Sequence, residues 1–439
     1  MRRFITFPIS DAMYSFMPSR PFNEQLYAQF WPISTETGAP GVFLNQCSGA
    51  KMAPTALLTH VKQPMLKRRS REIASEGVIK AQEWIGGQDK PVVESKILAF
   101  QNALNTCTSR QELDSVLAEN IRPCSFRPFV NSNALLWGTI FDYQAGIGGG
   151  GARVRPEIKA VYDLPDTVGF SLAHAPKDLD ESLGQFTSFC WYFPDNDLSR
   201  RGNGHIYLNH YIRDVHTNAV INNIHQSLIE RYSALTGLDD SECAKKMVFY
   251  SYAVFCSQVY LEEFYGALFV VNQSESRARI PIVDDAGLFL RLAELGERLA
   301  ILEKNDAAVD NVLDFNYDEL LAQMWTGFHL EHSRSASRSP YDEENEQLIV
   351  RDEVTGNSIR IYCPVSLQKF TIAGYNVIKD CWLKFHSYRF THCDFTRDDL
   401  KELLDLFNKI ASQMGIVSEI DEIMHSIVGG EVALLNYND

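Results

Sequence analysis

Several features that would place a chain of 439 residues in a common class are missing from this sequence. No apolar run approaches the roughly 18 residues that a membrane-spanning helix needs. The segment from Phe4 to Pro8, after an N-terminal Met-Arg-Arg, is too short for a signal-peptide core. The nine cysteines are an odd number without a Cys-x-x-Cys pair, which disfavours a disulfide frame or a zinc ribbon. We therefore expect a cytoplasmic protein with reduced thiols, no metal and no membrane partner.

Motifs of common catalytic sites are also missing. The chain has no Gly-x-Ser-x-Gly elbow, so an acyl-transfer hydrolase has no support. A glycine run from Gly146 to Gly151 lacks the Gly-Lys-Ser/Thr of a nucleotide-binding loop. We interpret it as a flexible loop, whose backbone N–H groups could approach phosphates while Arg153 and Arg155 supply charge.

Two acidic-x-Lys pairs, Glu94 with Lys96 and Glu157 with Lys159, resemble the carboxylate and lysine arrangement of metal-dependent nucleases. Such short matches arise often by chance, so a nuclease is kept as an alternative. The histidines lack the helical His-Glu-x-x-His spacing of a metal site. We expect ordinary surface or packing roles for His205, His210, His216, His329 and His332.

The net charge of −15 argues at first against a nucleic-acid partner, because phosphate binding depends on Lys and Arg. The charge is unevenly distributed, however. Residues 1–235 hold 23 Lys and Arg against 22 Asp and Glu, whereas residues 236–439 hold 18 against 34. The first part therefore carries a net charge of +1 and is free to present a basic face, while the second carries −16.

The residue pattern predicts an α+β protein with a boundary near residue 240. Residues 1–240 form a strand-rich half, in which residues 1–60 mix short apolar runs with turn signals, while residues 55–85 and 95–119 follow a helical pattern. The stretch 95–119 includes a helix start signal, from Thr108 to Glu112.

Residues 241–439 are predicted to be mainly helical. Apolar residues from Val248 to Phe264 recur at steps of three and four, and a second helix begins near Ala286 with Asp284 or Asp285 as its cap. A small hairpin and a closing helix pair follow. The hairpin strands are 348–351 and 358–362, and the closing helices are 397–414 and 419–435.

Six sequence patterns occur in one order over most of the chain. They are Gly41-Val-Phe-Leu-Asn45, Phe126-Arg-Pro-Phe129, Arg153-x-Arg155, the aromatic run from Phe249 to Tyr265, Arg279-Ile-Pro-Ile282 with Leu292-Ala-Glu-Leu-Gly-Glu-Arg-Leu299, and Phe370-x-Ile372-x-Gly374-Tyr375-x-Val377 with Trp382-Leu-Lys384. In this order they resemble the C-terminal target-recognition, or specificity, domain of type ISP restriction-modification enzymes and of related N6-adenine DNA methyltransferases. Two departures affect the DNA-facing details: Asn45 lacks the usual Lys-Thr-Gly-Arg-Asp continuation, and Val130 stands where the family usually has Asp.

The resemblance implies sequence-specific recognition of double-stranded DNA in a restriction-modification, or phage-defence, system. The chain contains neither the Asn/Asp-Pro-Pro-Tyr element of the family's methyltransferases nor an ATP-binding loop. We therefore expect no catalysis by this chain alone and no cofactor in it. S-adenosylmethionine would be bound only by a partner methyltransferase or a missing domain, and a helicase-nuclease is the other expected partner.

The densest basic cluster, between residues 62 and 71, is either a phosphate-contacting patch or the solvated face of a helix or loop. On the first interpretation, DNA contacts are expected from Lys67, Arg68, Arg69, Arg71, Arg127, Arg153 and Arg155, with Asn45 and Gln46 as base readers. Two alternatives stay open: a metal-dependent DNA nuclease, and a non-catalytic protein whose acidic second half docks on a partner.

Overall fold

A computed structural model gives the fold of the chain. It describes residues 22–35, 40–47, 49, 55–85, 94–137, 167–173, 185–195, 198, 205–214, 217, 219–268, 278–304, 307–332 and 339–436. Helices and strands are mixed, and the strands form several small sheets, which confirms the predicted α+β class.

The longer helices within the described residues are α1 (Gln63–Ile85), α2 (Glu94–Leu104), α3 (Arg110–Asn120), α4 (Gln226–Thr236), α5 (Asp240–Cys256), α6 (Gln258–Leu268), α7 (Ala286–Leu302), α8 (Tyr317–Ala322) and α9 (Arg397–Val428). Single helical turns lie at Glu24–Tyr27, Thr55–Leu58, Val365–Gln368, Lys384–His386 and Tyr388–Thr391, and a π-helical turn lies at Val377–Leu383. No helix in these ranges is long and apolar enough to span a membrane.

The strands are β1 (Trp31–Pro32), β2 (Thr59–His60), β3 (Ile121–Arg127), β4 (Val130–Leu135), β5 (Gly169–Ala173), β6 (Thr187–Cys190), β7 (Phe193–Pro194), β8 (His205–Asn209), β9 (Tyr211–Arg213), β10 (Val220–Asn222), β11 (Arg279–Ile280), β12 (Tyr341–Asp342), β13 (Gln347–Arg351), β14 (Ser358–Tyr362), β15 (Thr371–Ile372) and β16 (Tyr375–Asn376). They form sheets in the orders β2-β4-β3-β7, β6-β5-β8 and β12-β13-β14, and the pairs β1-β11, β9-β10 and β15-β16.

The largest hydrophobic core contains residues from Leu26 to Ile427 and so draws on both sides of residue 240. A separate, smaller core lies between α1, α2, α3 and the strands β3 and β4. We call this part, residues 55–85 and 94–137, the helical unit. The predicted strand-rich half thus contains a helical unit with its own core, and its strands lie in sheets of two to four strands.

Within the largest core, helix α5 packs closely against helix α7. Gly296 of α7 lies so close to α5 that an added Cβ atom would stand 1.9 Å from the carbonyl oxygen of Phe249. Asp285 caps α7 by accepting the Leu288 N–H at 2.7 Å, which confirms one of the two predicted caps. Ser109 likewise caps α3 by accepting the Glu112 N–H, at the start signal predicted from Thr108 to Glu112.

Two predictions about the second half have different outcomes. The predicted hairpin is present as β13 and β14, with Gly356 in the left-handed conformation at the turn. The predicted closing helix pair is wrong, since α9 runs without a break from Arg397 to Val428. Gly415, where a break was expected, lies inside this helix in open space, and the buried positions Ile416 and Ile420 continue the apolar face beyond it.

The described part of residues 1–60 contains fewer strands than the sequence predicts. Its regular elements are two strands of two residues and two single helical turns. The remaining pairing is by isolated bridges, from Phe43 to Ser34 and Ile224 and from Cys47 to Tyr207. This stretch is therefore held by contacts with distant parts of the chain rather than by a sheet of its own.

Candidate nucleic-acid interface

The predicted base readers lie in a segment that we call the 42–47 segment. Its backbone is held on both sides: Val42 and Phe43 hydrogen-bond to residues 32–35, and Cys47 exchanges two backbone hydrogen bonds with Tyr207. The side chain of Asn45 is exposed, while Gln46 accepts a hydrogen bond from the hydroxyl of Ser34 at 2.9 Å. The segment therefore presents Asn45 to solvent from a fixed backbone.

The buried side chain of Asn223 anchors this segment. Its Oδ1 accepts the N–H of Asn45 at 2.8 Å, and its Nδ2 donates to the carbonyl oxygens of Asn45 and Asn209 at 2.9 Å each. The backbone of Asn223 donates to His210 and accepts from Leu44, at 2.7 and 2.8 Å. A single amide thus replaces a strand partner for residue 45.

The next element beside Asn223 is an antiparallel hairpin of β9 and β10. Val220 pairs with Arg213 and Ile221 pairs with Ile212, and 50% of Val220 and 39% of Ile221 are exposed. The hydroxyl of Tyr211 hydrogen-bonds with Ser241 at the start of α5. The hairpin therefore exposes β-branched side chains next to the 42–47 segment.

Three of the predicted phosphate-contacting residues lie on α1 and are at least partly accessible. Arg68 is exposed and pairs with Glu72 at 2.7 Å, and Arg71 pairs with Asp114 at 2.5 Å. The hydrogen bond from Arg68 to Glu72 raises the pKa of this guanidinium. Lys67 is partly buried, and no ion pair of its ammonium is found among the residues that the structure describes.

Arg69, their neighbour, points into the helical unit instead. It is only 1% exposed, and its guanidinium donates to the carbonyl oxygens of Leu57 and Thr59 at 3.1 and 2.8 Å. Burial lowers the pKa of this guanidinium to about 9. In this arrangement Arg69 holds the turn before α1, and its guanidinium does not reach the surface where a phosphate could contact it.

The guanidinium of Arg127 is also buried. It donates to Asp195 at 3.3 Å, and its central carbon lies 4.2 to 5.6 Å from the ring centres of Phe126, Tyr375 and Phe385. The Phe-Arg-Pro-Phe and Gly-Tyr sequence patterns therefore meet in space around one cation. Arg127 joins β3 to the C-terminal segment, and its buried guanidinium is likewise not placed to contact a phosphate at the surface.

The Arg-Ile-Pro pattern forms a loop inside the fold, which we call the R-I-P loop (residues 279–283). Tyrosine hydroxyls from three helices donate to its carbonyl oxygens: Tyr232 to Val283, Tyr250 to Pro281 at 2.7 Å, and Tyr260 to Arg279. Arg279 itself donates to the carbonyl of Phe30 at 3.0 Å. This pattern builds the fold and presents no exposed chemistry.

Several of the remaining predicted site residues lie outside the described residues. That applies to Arg153, Arg155, the glycine run 146–151, Glu157, Lys159 and the side chain of His205, together with His216.

Glu94 and Lys96 lie in the first turn of α2. No group of three or more residues suited to hold a metal ion occurs in the part of the chain that the structure describes. Two described histidines pack as expected. His210 and His332 are buried, and burial lowers the pKa of His210 to about 4.

Sequence reasoning missed Asn223 and the exposed hairpin beside it. A single Asn after Asn222 carries no periodic signal, and its role depends on Asn45, which lies 178 residues away. The exposed Val220 and Ile221 would have been the only local hint, since apolar residues in a short strand are usually assigned to a core.

Comparison with known proteins gives a family and a fold. The model of the Type ISP C-terminal specificity domain matches residues 42–411. No curated protein matches the chain. A DrdV–DNA complex is similar in structure at 15% identity and a TM-score of 0.53, over 93% of this chain. The ATP-dependent Type ISP restriction-modification enzyme LlaBIII bound to DNA is similar at 15% identity and a TM-score of 0.54, over 91% of this chain.

The chain spans 39% of the DrdV chain and 24% of the LlaBIII chain, so it corresponds to one part of each. The family match covers the 42–47 segment, the helical unit, the R-I-P loop and the first half of α9. The chain belongs to the family of Type ISP C-terminal specificity domains.

Proposed function

We propose that this chain recognises a specific sequence in double-stranded DNA and acts as the specificity part of a Type ISP restriction-modification system. The observation that carries the proposal is the family match over residues 42–411. The two similar structures, both of complexes with DNA, support the same role. Work on DNA would place the chain in the cytoplasm, in keeping with the absence of disulfides among the described cysteines.

We assign the two kinds of DNA contact to different parts of the molecule. Lys67, Arg68 and Arg71 on α1 contact phosphates and set the orientation of the protein on the duplex. Asn45 reads a base edge, since a carboxamide can bind adenine through two hydrogen bonds in the major groove. Both Arg68 and Arg71 exchange an intramolecular carboxylate for a phosphate on binding, which reduces the net gain from each contact.

Catalysis belongs to other polypeptide segments in this proposal. The chain matches only part of the two similar structures, so a methyltransferase that binds S-adenosylmethionine, or a helicase-nuclease, completes the system. Such a catalytic part would sit on the same duplex and act on the site that this chain selects.

The test is selection from a random pool of duplex DNA across a salt series, followed by sequencing of the retained DNA. An enriched asymmetric motif that survives moderate salt is the expected result. Salt-sensitive binding without a motif would contradict sequence recognition. Absence of DNA binding, together with tight binding to a restriction enzyme, would favour the partner-docking alternative.

The phosphate-binding residues have a matched test. Changing Lys67, Arg68 and Arg71 to Ala should weaken binding to all sequences and reduce the slope of log K against log salt by about 0.9 for each phosphate that the variant no longer neutralises. The control is the triple variant Arg231→Ala, Arg291→Ala and Arg298→Ala, which removes the same total charge from exposed positions on other helices. Equal reductions in affinity for the two triple variants would show a general charge effect and contradict the α1 patch.

A further inference from the structure

Asn223 is the best-connected buried polar residue beside the candidate base readers. Its relative exposure is 0%, and its side-chain amide and its backbone amide are both occupied by the hydrogen bonds described above. These bonds join the 42–47 segment, the end of β8 and the start of the β9-β10 hairpin. A buried amide whose donors and acceptor are all satisfied fixes its partners in one arrangement.

We infer that Asn223 is a positioning residue for DNA sequence recognition: it holds Asn45 and the β9-β10 hairpin together as one rigid surface that enters a groove of the duplex. The inference rests on the proposed function. To the DNA interface proposed above it adds the β9-β10 hairpin as a second element that contacts bases. It also adds Asn223, which does not touch DNA but positions the residues that do.

The geometry of the hairpin fits this role. The major groove admits a two-stranded β-ribbon, and apolar side chains there contact the thymine methyl group. Val220 and Ile221 are exposed β-branched residues on such a ribbon, where water is otherwise an unfavourable environment for them. Arg213 faces Val220 across the ribbon.

The 42–47 segment supplies the polar part of the same surface. Asn45 and the hairpin have no direct strand pairing with each other in the described residues, so their relative position depends on Asn223 and on the bridge from Phe43 to Ile224. A side chain must be held within a few tenths of an ångström to form two hydrogen bonds with one base. Loss of the Asn223 hydrogen bonds should therefore reduce the preference for the selected sequence and leave DNA binding in general intact.

The decisive variant is Asn223→Asp. It keeps the shape and an acceptor for the Asn45 N–H but removes the two N–H donors to the carbonyls of Asn45 and Asn209. We expect the ratio of affinities for the selected sequence and a scrambled duplex to fall about tenfold or more, which one two-hydrogen-bond base contact can supply. Affinity for the scrambled duplex should stay unchanged, because the phosphate-contacting residues lie on α1.

A matched control separates positioning from general loss of stability. Asn408→Asp alters another fully buried Asn, whose Oδ1 accepts the Leu313 N–H at 2.8 Å. It should leave the specificity ratio unchanged. Urea denaturation at the temperature of the binding assay shows whether each variant is folded there. Asn223→Ser serves in place of Asn223→Asp if the latter does not fold.

A double-variant comparison tests the link to Asn45 directly. Asn45→Ala should lower the specificity ratio in the wild-type chain but have no further effect in the Asn223→Asp chain, because the two residues act as one unit. Independent effects would overturn the inference, as would a folded Asn223→Asp protein with the wild-type ratio. If the wild-type chain shows no sequence preference, the proposed function fails, and the inference fails with it.

Discussion

Two irregular segments of this protein are fixed by side-chain hydrogen bonds, but to opposite effect. The R-I-P loop receives three tyrosine hydroxyls from three helices and is enclosed by the main core. The 42–47 segment is held from beneath by the amide of Asn223 and leaves the side chain of Asn45 in solvent. The first arrangement stabilises the fold, and the second leaves a polar side chain in solvent on a fixed backbone.

The two segments should therefore respond differently to substitution. Changes around the R-I-P loop and its helices should alter the free energy of unfolding and leave DNA preference unchanged. Removal of the exposed side chain of Asn45 should do the reverse, whereas its neighbours Val42 and Phe43 are buried and belong to the core. Variants at four buried sites, Gly296, Glu303, Arg69 and Tyr250, should affect stability in decreasing order, and Arg69 extends the test to the core of the helical unit.

Gly296→Ala should be the most destabilising. The new Cβ would stand 1.9 Å from the Phe249 carbonyl oxygen, which is backbone and cannot move aside without separating α5 from α7. We expect a loss of more than about 3 kcal/mol in the free energy of unfolding, measured by urea denaturation. Gly415→Ala on α9 is the control, since it adds a methyl group in open space and should be neutral or stabilising. Equal stability of the two variants would contradict the close approach of the two helices.

Glu303, directly after α7, should make stability depend on pH. Burial raises the pKa of this carboxyl from 4.5 to about 7, despite hydrogen bonds from Tyr252, the Phe189 N–H and the Ser188 hydroxyl that act in the opposite direction. The folded chain therefore keeps a proton that the unfolded chain releases between these pH values. The contribution of Glu303 to stability is largest below pH 4.5, falls as the pH rises to about 7, and is constant above that.

The measurement is urea denaturation of the wild type and of Glu303→Gln at several pH values. Over the window the wild type should lose roughly 3 kcal/mol relative to the variant, which has no charge to gain there. Parallel curves for the two proteins would show that Glu303 does not titrate in this range.

Arg69→Met should cost about 2 kcal/mol, because the carbonyl oxygens of Leu57 and Thr59 lose a charged donor inside the helical unit. Arg68→Ala is the adjacent control. Its exposed ion pair with Glu72 contributes less than about 0.5 kcal/mol. Thermal unfolding distinguishes the two, and a larger loss of stability for Arg68→Ala would reverse the assignment of the buried and exposed arginine.

Tyr250→Phe should have the smallest effect on stability of the four, about 1 kcal/mol, from the unsatisfied carbonyl of Pro281. The second measurement on this variant is its specificity ratio for DNA. The variant should keep the wild-type specificity ratio for the selected DNA, whereas Asn45→Ala should lower that ratio at nearly unchanged stability. A change of DNA preference in Tyr250→Phe would break the distinction between the two segments.

Local patterns predicted the elements whose stabilising interactions are near in sequence. The cap of α7 at Asp285, the start of α3 at Ser109 and the hairpin of β13 and β14 all follow from residues a few positions apart. The closing helix pair was mispredicted because a glycine in a helix costs only about 1 kcal/mol, which the buried face of α9 offsets.

The fate of adjacent charged residues could not be predicted in the same way. Arg68 and Arg69 are the same residue type at adjacent positions of α1, yet only the side chain of Arg68 reaches solvent. Helical geometry separates neighbouring side chains by about 100°, so the face that packs on the turn at Thr55–Leu58 decides between them.

The sequence by itself determined the class of this protein and its family, because family patterns and capping signals are local and keep their order along the chain. Only the tertiary structure decided what those patterns do. Arg127 and the R-I-P loop turned out to be internal supports, and Asn223 turned out to hold a segment 178 residues away. Burial and hydrogen bonding between distant residues are properties of the packed chain, and no spacing along the sequence encodes them.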